Sequence, residues 1–281
     1  MQRRDLENRI HSVEKLEGII SAMRSMAALR VQQTAKPVEG ARSYVRLVSA
    51  ALTETARLAG EIAAPRALMP RTARMTIVFC SEHGFVGGFN QILLKKADGA
   101  SKTGARIGII GSRGALLARE YGLQPAWQIA MASDQASVQE ICRQIAGRLF
   151  ESVANGLASA GLIYAQHGAT PGIEVISRAL FPIDPNALEN ASAANPPLLN
   201  MPPRELLARL TEEYLMASLT CAAMESLHAE NRARLLAMDQ AHQGIVRKHD
   251  EFMLKIFQMR QEEITTELLD VMTGFEAQTE A

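Results

Sequence analysis

Aromatic side chains are scarce in this sequence: they make up 5% of 281 residues, and there is a single Trp. Thirteen Met residues and a hydrophobic fraction of 47% stand in their place. A core of Ala, Leu and Met without rings is typical of long packed helices rather than of sandwiches or barrels. Net charge is missing too, because 30 Lys and Arg balance 30 Asp and Glu. Nothing then supplies the positive field that binds nucleic-acid phosphates or anionic lipid, so neither partner is expected. Cys80, Cys142 and Cys221 are odd in number, widely spaced and form no C-x-x-C pair. That argues against a disulfide framework or a cysteine zinc site and for a reducing compartment. No window reaches the ~18–20 uncharged apolar residues that span a bilayer. The opening Met-Gln-Arg-Arg-Asp-Leu-Glu lacks the apolar stretch of a signal peptide. The expectation is a cytosolic chain, or one peripheral to a membrane assembly, with no direct membrane insertion.

What is present falls into three segments: 1–68, 69–203 and 204–281. In the first, Leu6, Ile10, Val13, Leu16, Ile20, Met23, Ala27 and Val31 recur in steps of three and four, one face of a helix. The pattern resumes at Val45, Val48, Leu52, Ala56 and Ala59 after Pro37 and Gly40, and Pro37 either kinks or breaks the helix. In the second, short β-branched runs at 75–80, 107–110, 162–165 and 173–183 alternate with helical stretches at about 90–98, 113–121 and 135–155. That alternation predicts a three-layer, Rossmann-like α/β domain with a largely parallel sheet covered on both faces. Residues 184–203, rich in Asn, Ala and Pro, read as a loop that leads into the last helix.

The third segment carries the clearest pattern. Alternate steps of three and four from Leu207 reach Leu210, Tyr214, Ala217, Cys221, Met224, His228, Asn231, Leu235, Met238, His242, Ile245, His249, Phe252, Ile256 and Met259. Twelve of those 16 positions are apolar, which makes a coiled-coil seam with a left-handed supercoil. Ile264, Leu268 and Val271 extend the stripe, and Gly274 is expected to end it. A helix over 204–273 would be about 105 Å long at ~1.5 Å per residue, too long for the middle domain alone to cover. Its partner is either the first helix, in an antiparallel pair with the α/β domain inserted between the two, or a second copy of the chain.

The local motifs each have a plain structural reading. Gly84-Phe85-Val86-Gly87-Gly88-Phe89-Asn90 sits where a phosphate loop belongs, after a strand and before a helix. Its spacing matches neither G-x-G-x-x-G nor G-x-x-x-x-G-K-[ST], so glycines serving a tight turn are favoured, as at Gly111-Ser112-Arg113-Gly114. Glu225-x-x-His228 has metal-helix spacing, and His228, His242 and His249 share the seam. With one such pair and no H-E-x-x-H, register-fixing polar residues are favoured, and Cys221 reads as a small core residue. Ser81-Glu82-His83 clusters polar groups at a strand end without a nucleophile and its orienter, and reads as a turn.

Taken together, the segments resemble the gamma subunit of F-type rotary ATP synthases. Arg9-Ile10-His11-Ser12-Val13 and Ile19-Ile20-Ser21-Ala22-Met23-Arg24-Ser25-Met26-Ala27-Ala28 look like that family's R-I-x-S-V and I-T-x-A-M-K-M-V-A-A. Ser81 to Asn90 is similar to S-D-R-G-L-C-G-G-L-N, and Ile110-Gly111-Ser112-Arg113-Gly114 to I-G-x-K-G. Glu213-Tyr214-Leu215, Ser226 to Arg234, Ala237-Met238-Asp239 and Arg260-Gln261-x-x-Ile264-Thr265-x-Glu267-Leu268 look like the family's C-terminal motifs.

The resemblance implies an axle: terminal helices paired inside a ring of three alpha and three beta subunits, with the α/β domain near the epsilon subunit and the membrane ring of c subunits. It implies a non-catalytic subunit of a proton- or sodium-translocating enzyme, with no cofactor and no metal, peripheral on the cytoplasmic face of the cell's inner membrane. It also implies that Met23, Arg24, Arg260, Gln261 and Thr265 meet the beta subunits. Pro37, Ser43 before Tyr44 and Phe85-Val86 depart from the family pattern, and 115–200 matches poorly, which marks a diverged branch such as an alternative ATPase. Two other classes stay open on the residues alone: a nucleotide-binding α/β enzyme with a helical dimerisation arm, and a coiled-coil scaffold.

Overall fold

The computed structural model describes residues 3–59, 73–168, 172–183 and 198–279. In chain order the elements are α1 (Arg3–Leu58), β1 (Ala73–Phe79), α2 (Phe89–Lys102), β2 (Ala105–Ile110), α3 (Ser112–Glu120), β3 (Trp127–Ile129), α4 (Val138–Ala154), β4 (Leu157–His167), β5 (Ile173–Phe181) and α5 (Pro203–Thr279). They form two compact units, Met1–Met26 with Leu235–Ala281, and Ala27–Arg234. Each long helix contributes to both units, so compactness does not follow the three segments of the sequence.

In the unit Ala27–Arg234 the sheet order is β3-β2-β1-β4-β5, parallel except for β5, which runs antiparallel to β4. Alternation along the strands feeds two cores. Met75, Ile77, Phe79, Leu162 and Tyr164 face α4 and part of α5, through Ile141, Ile145, Leu219 and Met224. Val78, Cys80, Ile107, Ile109 and Ile163 face α2 and α3, through Leu93, Leu94 and Ala118. The three-layer, mainly parallel architecture expected from the alternating pattern is what the chain adopts. β3 has no counterpart among the expected strands: three residues around the only Trp carry too little periodicity to register. Gly108 admits the Trp127 ring, whose nearest atom would lie 2.3 Å from a Cβ placed there.

The partner of α5 is α1. In this unit α1 buries or half-buries Ala27, Val31, Thr34, Val38, Ala41, Val45, Val48, Leu52 and Thr55, steps of four and three without a slip. Val45, Val48 and Leu52 pack on Tyr214, Ala217 and Cys221. The other unit repeats the arrangement, with Leu6 and Ile10 against Phe252 and Ile256. There Arg24 Nε bonds Asp239 at 2.5 Å, and His249 Nε2 lies 3.9 Å from Glu14. Ten residues forward on α1 thus match ten back on α5, an antiparallel register. From Leu207 to Met259 every seam position is buried or half-buried within one chain, so α1 and not a second copy covers that length.

Four details differ from expectation. Leu16 is 50% exposed and Glu17 is half-buried in its place, because the 3.5-residue repeat from Leu6 lands on 17 whatever the residue. Pro37 lies inside an uninterrupted α1, so the helix does not break there. It lacks the N–H that would bond the carbonyl four residues back, on exposed Gln33, where water can serve instead. Gly274 does not end α5, which runs to Thr279, since a single Gly costs a helix only ~1 kcal/mol. Ile264, Leu268 and Val271 are 57%, 61% and 69% exposed, so that stripe is uncovered. Of the loop read at 184–203, residues 184–197 lie outside the described residues, and Pro203 is the first residue of α5.

The first turn of α3 rests directly on the end of β1. A Cβ on Gly114 would fall 2.0 Å from Cys80 Cβ, and one on Gly111, whose φ is +106°, would fall 2.5 Å from the Cys80 carbonyl oxygen. Gly114→Ala is therefore expected to destabilise the chain by about 1–3 kcal/mol through overpacking, read as a lower urea midpoint. An unchanged midpoint would disprove the contact.

Candidate functional site

In open α/β sheets, ligands enter at the carboxyl ends of the strands, where the strand order reverses. Here that place is the end of β1 next to β4, and α5 fills it. From Ala217 to Arg234 the helix is buried at every position except Thr220, half-buried, and Arg232, exposed. Ser226 Oγ donates to the carbonyl of Phe79, the last residue of β1, at 3.0 Å. Arg234 Nη2 reaches Glu230 at 2.5 Å, Nη1 reaches Asn231 Oδ1 at 3.1 Å, and Nε reaches the Gly84 carbonyl at 3.4 Å. The Glu82 backbone N–H faces the Glu230 carboxylate and favours its charged form. Burial pushes the Glu230 carboxyl up, against the opposing pull of Arg234. The nucleotide crevice of a doubly wound sheet is thus occupied by the chain's own helix.

The loop after β1 is held by its own polar groups. Ser81 N–H donates to Asn90 Oδ1 at 2.9 Å, and Asn90 Nδ2 donates to Ser81 Oγ at 2.7 Å. Glu82 Oε2 accepts the backbone N–H of Ser112 at 3.0 Å and of Met131 at 2.7 Å. Burial alone would raise its pKa, but these hydrogen bonds outweigh it and hold the carboxyl below its ordinary value. Glu82 therefore caps α3 and ties down the segment following β3, while His83 is exposed and its backbone carbonyl accepts the Ser81 hydroxyl at 2.9 Å. Gly87, at φ +56°, turns the chain; Phe85 adopts φ +60° despite its side chain and stands 67% exposed. The motif is a structural turn with one aromatic residue facing outward.

The polar residues of the seam pair across α1 and α5 instead of gathering on a metal. Arg42 grips Glu225 with two hydrogen bonds, one from Nε and one from Nη2 at 2.9 Å; Glu225 is 2% exposed. His228 Nδ1 lies 2.8 Å from Thr34 Oγ1, which also reaches the Arg30 carbonyl at 2.8 Å. Burial, helped by Arg232, His167 and Arg42, lowers the His228 ring to about 4. His242 Nδ1 is buried without a hydrogen bond among the described residues. Among the described residues no three His, Cys, Asp or Glu side chains are placed to hold a metal ion. The three thiols are buried, and burial pushes Cys80 up to about 12 and Cys142 and Cys221 to about 11, which leaves them unreactive.

Of the residues assigned to a ring of partner subunits, Met23 is half-buried and Arg24 is engaged with Asp239. Arg260, Gln261 and Thr265 are exposed on α5, and the Thr265 hydroxyl bonds back to the Gln261 carbonyl at 2.7 Å.

A family model described as ATP synthase matches residues 2–278. The chain belongs to the ATP synthase family. It is 28% identical to the ATP synthase gamma chain of Paracoccus denitrificans over 288 residues, covering 98% of both chains. The gamma chain of Bacteroides thetaiotaomicron is 26% identical, with 96% of this chain and 98% of that one covered. In fold it resembles a chain of the Euglena gracilis mitochondrial ATP synthase rotor, with a TM-score of 0.64 at 14% identity over 93% of this chain and 98% of that one. A second Euglena gracilis structure, comprising OSCP, F1 and c-ring, gives 0.66 at 14% identity, with 98% and 94% covered. As an ATP synthase family member, this chain keeps the helix pair and the inserted sheet.

Two outcomes check the paired groups. Arg42→Ala should cost about 3–5 kcal/mol, since it strands a buried carboxylate, and Glu225→Gln distinctly less, since Arg42 reaches water; chemical denaturation reads both. For His228, the unfolded ring takes up a proton near 6.5 and the folded one near 4. Its contribution to stability is therefore complete above about 6.5 and is lost as pH falls toward 4. His228→Gln should flatten that part of the stability-against-pH curve; an identical slope would contradict the assignment.

Proposed function

We propose that the chain is the central-stalk gamma subunit of an F-type ATP synthase, the rotor that couples ion flow through a membrane ring to ATP synthesis or hydrolysis on a ring of alpha and beta subunits. The observation that carries it is the antiparallel pairing of α1 with α5 around a sheet whose ligand crevice α5 itself fills. A chain so built has no room for a nucleotide where its fold would hold one, and its chemistry is contact with partners. Its catalytic contribution is then indirect: angle-dependent contacts bias the affinities of sites on the surrounding subunits.

On this reading Met23, Arg24, Arg260, Gln261 and Thr265 meet the beta subunits, while the α/β domain meets epsilon and the c subunits. Arg260 and Gln261 are exposed long donors suited to carboxylates on a facing loop. Arg24 meets the ring only at the expense of Asp239 or together with it. Among the described residues no helix is long and apolar enough to cross a membrane. The place this reading gives the chain is peripheral, on the cytoplasmic face of the inner membrane, within a proton- or sodium-driven complex. Identities of 26–28% to those gamma chains agree with a diverged branch such as an alternative ATPase.

Purification through a tag on this chain should bring down alpha and beta subunits in a three-to-three-to-one complex; recovery of the chain free of both would overturn the proposal. Within that complex, Arg260→Ala with Gln261→Ala should lower ATP turnover while the α/β domain stays folded. Unchanged turnover would remove those two residues from the contact.

A further inference from the structure

A second cleft, within the unit Ala27–Arg234, is not filled. It has a volume of about 640 Å³ and opens between α1, α5 and the β4–β5 face. Its walls are polar and rich in arginine. Arg42 is already neutralised by Glu225. Among the described residues Arg46 hydrogen-bonds only a hydroxyl, Ser43 Oγ at 3.2 Å, and the Arg178 guanidinium lies beside the Tyr164 phenol. Neither guanidinium has a carboxylate within ion-pair distance among the described residues. Glu39 is the one other charged group in the lining.

We propose that this cleft binds a phosphate-bearing anion. Two unneutralised guanidinium forks facing one concavity present several N–H donors in fixed planes, the arrangement that matches a tetrahedral oxyanion. The Tyr164 phenol adds a donor: burial pushes it up to about 12, so it keeps its proton at neutral pH. After the Arg42–Glu225 pair and Glu39 are counted, one positive charge is left over in a chain of zero net charge. The volume lies in the range of small-ligand sites, ~300–1,000 Å³, large enough for the phosphate to arrive free or on a nucleotide. Because α1, α5 and the sheet each supply a wall, an occupant would bridge all three. The inference rests on the cleft alone and stands or falls separately from the rotor reading.

The test is calorimetric titration of the full chain, at constant ionic strength, with inorganic phosphate, pyrophosphate, ADP and adenosine. Saturable single-site binding of the phosphate-bearing probes and none of adenosine is expected. ADP binding far tighter than phosphate assigns the nucleotide as carrier; comparable affinities assign the free anion. Arg46→Gln and Arg178→Gln should each weaken binding by about 10-fold or more, the scale of a charge-assisted hydrogen bond, and Arg148→Gln on α4 should not. If a variant fails to fold, hydrogen exchange on the unmutated chain replaces it, with saturating phosphate expected to slow exchange in 42–49, 164–166 and 176–178. No saturable binding of any phosphate probe, binding indifferent to both arginines, or unchanged exchange would overturn the proposal.

Discussion

Much of this architecture follows from the demand that one stretch of helix satisfy two partners at once. Between Ala217 and Arg234, α5 must pack on α1 along its coiled-coil stripe and on the sheet along the rest of its circumference. The sequence meets the demand with small residues: from Tyr214 to Met224 there is no charge, and Ala, Ser, Thr and Cys dominate. Small side chains let a helix approach a strand end closely enough for Ser226 to bond the Phe79 carbonyl. Leu219, Met224 and Leu227 supply the apolar contact, and truncating any of them would cost on the order of 2–5 kcal/mol. The outer helices of the sheet follow from this, because α5 occupies part of one face and leaves α4 the remainder.

Polar groups in the same stretch have a different job. A buried ion pair such as Arg42 with Glu225 contributes little net stability relative to well-packed apolar residues, since desolvation offsets attraction. Removing either partner changes that balance, so a shifted register, which separates the pair, is penalised heavily. The Thr34–His228 contact acts in the same sense, whereas Arg24 with Asp239 in the other unit is more exposed and adds less. Apolar burial sets how strongly the helices associate; these few pairs decide which register they choose.

The long helices were legible because a 3.5-residue repeat leaves a signal on every turn, and the sheet because its strands are short apolar runs. The misplacement of Leu16 shows the limit of reading by hydropathy: geometry puts Glu17 on the seam, and only the structure reveals that a carboxylate occupies it. β3 was invisible because three residues cannot display a period. The role of Glu225 and His228 was half legible. The seam position of His228 was plain and Glu225 stood three residues before it, but their partners lie nearly 200 residues away on α1, and no local pattern encodes that distance. The all-round burial of α5 had a signal that the heptad obscured, namely the charge-free run from Tyr214, which is unusual for a helix with one solvated face.

A doubly wound sheet with its crevice closed raises the question of what the fold supplies once ligand binding is removed. The answer lies in the strand ends. Glu82, Ser81 and the carbonyls of Phe79 and Gly84 present a dense set of fixed donors and acceptors at the place where such folds gather polar groups for substrates. In this chain those groups are spent on Asn90, on the first turn of α3 and on Ser226 and Arg234 of α5. Because α5 is anchored by hydrogen bonds to backbone atoms of the sheet rather than by side-chain packing alone, turning it about its axis would break bonds at Phe79 and Gly84 together with the contacts of Leu219 and Leu227. The site that would bind a ligand in a related fold thus fixes a helix instead, which is the property that a chain working through partner contacts requires.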